Sequence, residues 1–189
     1  PARDRARLHK ITPLPGRERP DDMDRADRAT FLDRAACTDG ALAGAIAHVL
    51  LTEGLWNKEF VGDFKDGKNL FVAGKPVDEA AFAEKETHGL VKWWNLELKD
   101  RTPAWGEKES LIPAAQIVRV ARAMGKAAPR TAVWMGPGAA MHPRGTYSAM
   151  AVHALNGLVG SIDAEGGVWQ SSSVSLGKFP SEEKYVDDV

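Results

Sequence analysis

Gly136 and Gly138, separated by one residue and followed by Met141, His142, Arg144 and Gly145, form the group in this sequence whose types and spacing could serve a ligand. They follow Arg130 to Met135, RTAVWM, a short run with β-branched and aromatic residues bounded by Pro129 and the glycines. That run reads as a buried parallel strand. In open α/β sheets ligands sit outside the carboxyl ends of strands, where glycine lets backbone N–H groups come close to a phosphate or a heterocycle. An arginine at 144 would pair with an anion. The imidazole of His142 titrates near neutrality and could donate a hydrogen bond or shuttle a proton. Each feature also has a plainer alternative: a structural GPG turn, a solvated arginine at a helix start, and a histidine beside Pro143 that caps a helix or lies at the surface.

Two familiar nucleotide loops are excluded. Met141 stands where a dinucleotide fingerprint needs its third glycine, and none of Gly67-Lys68, Gly74-Lys75, Gly125-Lys126 or Gly177-Lys178 is followed by Ser or Thr, as a P-loop requires. The five histidines are scattered without metal-ligand spacing, so His48 and His153 are expected as structural residues, His153 as a hydrogen-bonded core histidine. The single cysteine, Cys37, cannot make an internal disulfide, a tetracysteine zinc site or a set of iron–sulfur ligands.

The elements that must position the glycine loop are mostly helices. Thr38 can cap a helix with Asp39 in its first turn, Leu42, Ala45, Ile46, Val49 and Leu50 fall on one face, and Gly54 stops it. Asn57 can cap a short helix over NKEFVGDF, Asp66 to Pro76 has the turn-strand-turn composition of a surface hairpin or loop, and Val77 to Glu86 reads as another helix. Leu90 to Leu98 carries Trp93 and Trp94, an aromatic face to pack on the domain. Thr102-Pro103 and Ile112-Pro113 mark helix starts, the second leading into Ile117, Val120, Ala121 and Met124 opposite Arg119 and Arg122. A helix is expected to begin near Gly145, with Tyr147 to Val159 buried, Asn156 bonding the turn that follows, and Gly160, Gly166 and Gly167 supplying positive-φ turns. Helix, strand, glycine loop and buried helix together spell an α/β layer fold.

With 189 residues, 43% hydrophobic and 27% charged, the chain can build one core. A net charge of -1 gives no field favouring nucleic acid or an anionic membrane. No apolar run reaches the roughly 20 residues that span a bilayer. Pro1 to Cys37 is dense in Arg, Asp and Pro and poor in large apolar residues, so it is expected to stay disordered or form one short helix near Asp24 to Arg34. The expected organisation is an atypical segment 1–37, a partial α/β domain 38–169 and a connection 170–189, with both ends read as truncations.

The segment from Trp134 to Trp169, with its G-x-G, His142, Gly145, Asn156 and LVGSIDAEGGV, resembles a recurring segment of the dimethyl-sulfoxide-reductase superfamily of molybdopterin oxidoreductases. Leu155 to Ile162 and Glu165 to Val168 match the family's "LNxLTGNIGxPGGV" closely, with Ser161 for the usual asparagine and Ala164-Glu165 for the usual residue-proline pair. Upstream, Thr38 to Leu42 with LLTEGLWNKEFV is similar to the family's "TDGAL" helix, and Ile112 to Arg122 resembles its "GIPAEDIRRLAR" helix. The resemblance covers Thr38 to about Val168 and fails over Pro1 to Cys37, which is consistent with a mis-joined N-terminus.

The resemblance implies a partial Rossmann-like layered domain, with parallel strands and mostly helices, from a larger multidomain large subunit. It implies that Gly136, Gly138, Met141, His142, Arg144 and Gly145 lie at the cofactor, molybdopterin guanine dinucleotide with molybdenum or tungsten. The metal ligand and the iron–sulfur cysteines belong to parts of the family's subunit absent here, so no catalytic residue and no metal ligand is expected in this chain, which alone should be inert. Members of the family perform two-electron or oxygen-atom transfer and pass electrons to an iron–sulfur subunit, with a membrane-anchor subunit in some complexes and a periplasmic or membrane-associated location. Met141 stands where formate dehydrogenases carry glutamine, so the loop is more similar to the thiosulfate, polysulfide, tetrathionate and arsenate reductase group. Two other classes remain open: a small non-catalytic nucleotide-binding module, and a helical interaction module using Trp93 and Trp94.

Overall fold

The computed structural model describes residues 38–141, 143 and 145–169. The expectations for Pro1 to Cys37, His142, Arg144 and the stretch after Trp169 lie outside the described residues. Among the described residues five α-helices and one small sheet follow in order: α1 (Asp39–Thr52), β1 (Gly62–Phe64), β2 (Phe82–Glu84), α2 (Leu90–Leu96), α3 (Pro103–Ser110), α4 (Ala114–Ala127) and α5 (Gly145–Leu158).

α1 is the hub. The backbone carbonyl of Thr38 accepts from Leu42 N–H, although the Thr38 side chain does not make the capping bond. Gly54 in a left-handed conformation, φ 69°, follows the helix end as expected. The expected single apolar face is too narrow a description, because every residue from Ala43 to Leu51 is buried. Alanine and glycine on the remaining faces let neighbouring helices close in, and α3, α4 and α5 all pack against α1. A Cβ on Gly106 of α3 would stand 2.5 Å from the Ala45 side chain, and one on Gly40 would stand 3.0 Å from Ser148 Oγ of α5. α4 keeps the expected amphipathic pattern, burying Ile117, Ala121 and Met124. Arg119 and Arg122 lie on its exposed side, where Arg122 donates two hydrogen bonds of 2.8 Å to Glu53.

An aromatic cluster fills the other half of the core. Trp56, Phe64, Phe71 and Phe82 meet edge-on or tilted at centroid separations of 4.9 to 6.3 Å, and Trp94 joins through Phe71 at 5.1 Å. Burying an indole strands its N–H unless an acceptor is near. Trp56 donates to the Gly62 carbonyl and Trp94 to the Lys75 carbonyl, both at 2.9 Å.

This cluster overrides two local expectations. Asn57 does cap, accepting from Glu59 and Phe60 N–H, but a turn follows instead of a helix, and the chain enters β1. Gly62 at φ 117° lies so close to β2 that a Cβ would stand 2.1 Å from the Ala83 carbonyl oxygen. The helix expected over Val77 to Glu86 is a 3-10 turn, Glu79–Ala81, capped by Asp78, and then β2. Antiparallel pairing sets Phe64 opposite Phe82, and burying both rings outweighs the helical propensity of the alanines and glutamates. Asp66 to Pro76 is a surface loop, one of the two forms expected, and inserts buried Phe71 into the cluster.

The α/β layer with parallel strands is likewise corrected. The described residues are mostly helical, and their one sheet is two-stranded and antiparallel. Arg130 to Met135 is not in a strand: no neighbouring strand pairs with it among the described residues, and Trp134 is 88% exposed. The parallel pairing present is an isolated bridge, Ile162 to Val168. Among the described residues no helix is long and apolar enough to cross a membrane.

His48 is structural, as expected. It is buried in α1, stacks on Trp94 at 5.3 Å, and places Nδ1 2.7 Å from the Leu98 carbonyl. Burial holds its pKa below the ordinary 6.5, against smaller upward pulls from the Leu98 hydrogen bond and Asp100. The unfolded chain takes up this proton more readily than the folded one. His48's contribution is therefore complete above about pH 6.5 and is lost as pH falls from there through the depressed folded value. The expected result is a urea midpoint that drops between about pH 7.5 and pH 5.5 by more than in His48→Asn, whose amide can still reach Leu98. Equal pH slopes in the two proteins would refute it.

Candidate functional site

The glycine loop stands between an extended lead-in and the start of α5. Gly136 is extended, φ -76° and ψ 166°, and opens a 3-10 turn, Pro137–Ala139, that buries Ala139. Gly136 and Gly138 are exposed, and a Cβ at either would meet nothing within 4 Å. Neither glycine is required by packing within the described residues, and the backbone there is open to an approaching group. Met141 beside them is 79% exposed.

Gly145 differs. It is buried, and a Cβ there would stand 1.8 Å from the Ala140 carbonyl oxygen. The chain itself occupies that space, so Gly145 sets how closely the loop folds back on α5. The structure thus gathers Gly136, Gly138 and Met141 on an accessible loop and puts Gly145 beneath it.

The lead-in is held by a residue that the sequence ties only to the turn after α5, a tie kept here through Ser161. Asn156 is expected to bond the turn after α5, yet its side-chain amide faces Val133, accepting from Val133 N–H at 2.8 Å and donating to the Val133 carbonyl at 3.0 Å. Contact with the turn comes from Ser161, whose hydroxyl lies 3.2 Å from both Asn156 Oδ1 and the Asn156 carbonyl. The turn is held tight by Gly160, φ 65°, and Gly166, φ 79°, as expected. Gly167 does not have positive φ; it is needed because a Cβ would stand 2.1 Å from the Ser161 carbonyl oxygen.

His153 is exposed, which corrects its placement in the core. Tyr147 and Met150 are 75% and 64% exposed, so α5 buries one face, through Ser148, Val152, Leu155 and Asn156, rather than all sides. Trp94 is fully buried, whereas Trp93 is half-buried beside an open cleft of about 620 Å³. Trp105, Arg101, Tyr147 and the first turn of α1 also line this cleft, and the Arg101 guanidinium lies 4.2 Å from the Trp105 ring centroid. Sequence reasoning missed the cleft because its walls come from four helices distant in the chain. Among the described residues no three His, Cys, Asp or Glu side chains come together as metal ligands. The described part of the loop presents open backbone at Gly136 and Gly138 beside the exposed Met141.

Over most of its length the chain is homologous to molybdopterin-containing reductase subunits, and it belongs to the molybdopterin oxidoreductases of the dimethyl-sulfoxide-reductase superfamily. It is 58% identical over 151 residues to the molybdopterin-containing subunit of the arsenate respiratory reductase of Chrysiogenes arsenatis, and 50% identical over 152 residues to that of Shewanella sp. (strain ANA-3). Each match covers 80% of this chain and 18% of the relative. The thiosulfate reductase molybdopterin-containing subunit of Salmonella typhimurium is 29% identical over 138 residues, covering 73% of this chain and 15% of the relative. This chain thus spans under a fifth of the length of these curated relatives. No protein-family model matches it.

Proposed function

We propose that the chain serves as a cofactor-flanking part of a molybdopterin-dependent catalytic subunit whose reaction is reduction of an oxyanion of the arsenate type. The observation that carries this is the exposed pair Gly136 and Gly138, with open space above both, in a segment 58% identical to an arsenate respiratory reductase subunit. Their bare backbone admits a flat pterin or a pyrophosphate where any side chain would hold it off. Met141 and His142 border the group, Arg144 offers charge to a phosphate, and Gly145 keeps the loop folded against α5. When bound, molybdopterin guanine dinucleotide with molybdenum or tungsten supplies two-electron redox chemistry, including oxygen-atom transfer. This chain's residues hold and orient the cofactor and exclude water from it. The metal ligand, an iron–sulfur cluster and the subunit that donates the two electrons for the reduction are assigned to the remainder of the complex.

The Rossmann-like layer belongs to the same proposal. Asn156 occupies one edge of the lead-in at Val133; the opposite edge has no strand partner among the described residues, and a parallel sheet contributed elsewhere in the subunit would join there. Residues 38–169 are then the working unit, preceded by an atypical segment and followed by a connection.

The test separates fold from ligand. Because a Cβ at Gly138 meets nothing, Gly138→Val is expected to leave the melting temperature of the 189-residue chain unchanged. In the full-length subunit the same change is expected to lower bound molybdenum, measured by mass spectrometry, by about tenfold, since one displaced backbone contact is worth that much. Full molybdenum occupancy in the variant would refute the assignment, and stoichiometric molybdenum in the purified 189-residue chain would refute the placement of the metal ligand in the remainder of the complex.

A further inference from the structure

We propose that Asn156 is a positioning residue for the glycine loop, acting through the backbone of Val133; the proposal rests on the cofactor-flanking role of that loop. A side-chain amide sets a donor nitrogen beside an acceptor oxygen at the spacing of a peptide group. Here both are used on one residue, Val133 N–H at 2.8 Å and Val133 C=O at 3.0 Å, as a neighbouring strand would use its backbone. Val133 lies three residues before Gly136, on a lead-in that has no strand partner among the described residues. Buried backbone groups require partners, and the Asn156 amide provides them here.

Asn156 is itself firmly placed. It is 3% exposed on the last turn of α5, and Ser161, with no exposed surface, packs its hydroxyl against the same Oδ1. One side chain therefore ties the end of α5, the turn after it and the entrance to the loop. Gly145 sits at the start of the same helix, beneath the Ala140 carbonyl. The loop from Gly136 to Met141 is consequently fixed at its entrance by Asn156 and at its exit by Gly145, both from α5. A helix that holds both ends of a loop sets its height and tilt without touching what binds there.

The experiment is residue-resolved hydrogen exchange on the full 189-residue chain, unmodified and as Asn156→Leu, which removes donor and acceptor while keeping volume. Val133 N–H is expected to be protected in the unmodified chain and to exchange at least about tenfold faster in the variant, while Ile117 and Ala121 in α4 stay unchanged. If the variant does not fold, a scalar coupling across the hydrogen bond from Val133 nitrogen to the Asn156 side-chain carbonyl, measured in the unmodified chain, decides the matter. An unprotected Val133 amide, absence of that coupling, or equal exchange in a folded variant overturns the proposal. In the full-length molybdenum-loaded subunit, Asn156→Leu is further expected to shift the electron paramagnetic resonance of the metal with the melting temperature held. Faster Val133 exchange with an unshifted spectrum would uphold Asn156 as holder of the loop and overturn the cofactor role of the loop itself.

Discussion

Gly145→Ala is expected to destabilise the 189-residue chain by about 3 kcal/mol, lowering the melting temperature by roughly 10 °C. The sign is the informative part. Inside an ordinary helix, glycine to alanine stabilises by up to about 1 kcal/mol, because alanine restricts the unfolded chain and favours helical dihedrals. At Gly145 the added carbon would stand 1.8 Å from the Ala140 carbonyl oxygen and 2.4 Å from its carbon. These are backbone atoms, which cannot swing aside as a side chain does. The loop must lift or the first turn of α5 must fray. A calorimetric melt of the variant checks this, with Gly138→Ala as the control at an open position. A melting temperature equal to or above that of the unmodified chain would show that the loop does not fold back on α5.

The second large effect lies in the aromatic cluster. Trp94→Ala is expected to cost about 3–5 kcal/mol, a sizeable share of the roughly 5–15 kcal/mol that holds a domain folded. Trp94 has no exposed surface, stacks on His48, tilts against Phe71 and satisfies the Lys75 carbonyl. Trp94→Phe separates packing from hydrogen bonding. It keeps most of the ring contacts but leaves that carbonyl unpaired, an expected loss of about 1–3 kcal/mol. Urea unfolding followed by circular dichroism measures both. A Trp94→Ala cost below about 1 kcal/mol would mean the cluster is not a cooperative part of the core.

The parts of the fold legible in the sequence are those whose signals are local. Thr102 before Pro103 starts α3, with its hydroxyl accepting from Trp105 N–H, and the spacing of Ile117, Ala121 and Met124 marks α4. Gly54 ends α1 by a conformation that favours glycine. What escaped was decided at long range. Phe82 lies in a strand because Phe64 is opposite it, and among the described residues the partner of Val133 is not a strand but an asparagine 23 residues on. No window of neighbouring residues contains that information. Within the candidate site, the open glycines were readable from their spacing, whereas Gly145 carries a packing role that only the position of Ala140 reveals. Asn156 stood out in the sequence, but the identity of its partner did not.

The all-round burial of α1 bears on how the protein is made. α1 is translated first among these elements, and α5, which covers one of its sides, follows roughly a hundred residues later. At synthesis rates of about 5–20 residues per second, a stretch from Ala43 to Leu51 that is apolar but for His48 waits several seconds or more after leaving the ribosome for the last of these helices. Such a stretch is a binding site for chaperones and a nucleus for aggregation until α3, α4 and α5 arrive. The order of the genetic message thus gives the nascent polypeptide a period of dependence on its cellular escorts, set by the distance between its most buried helix and the last one that covers it.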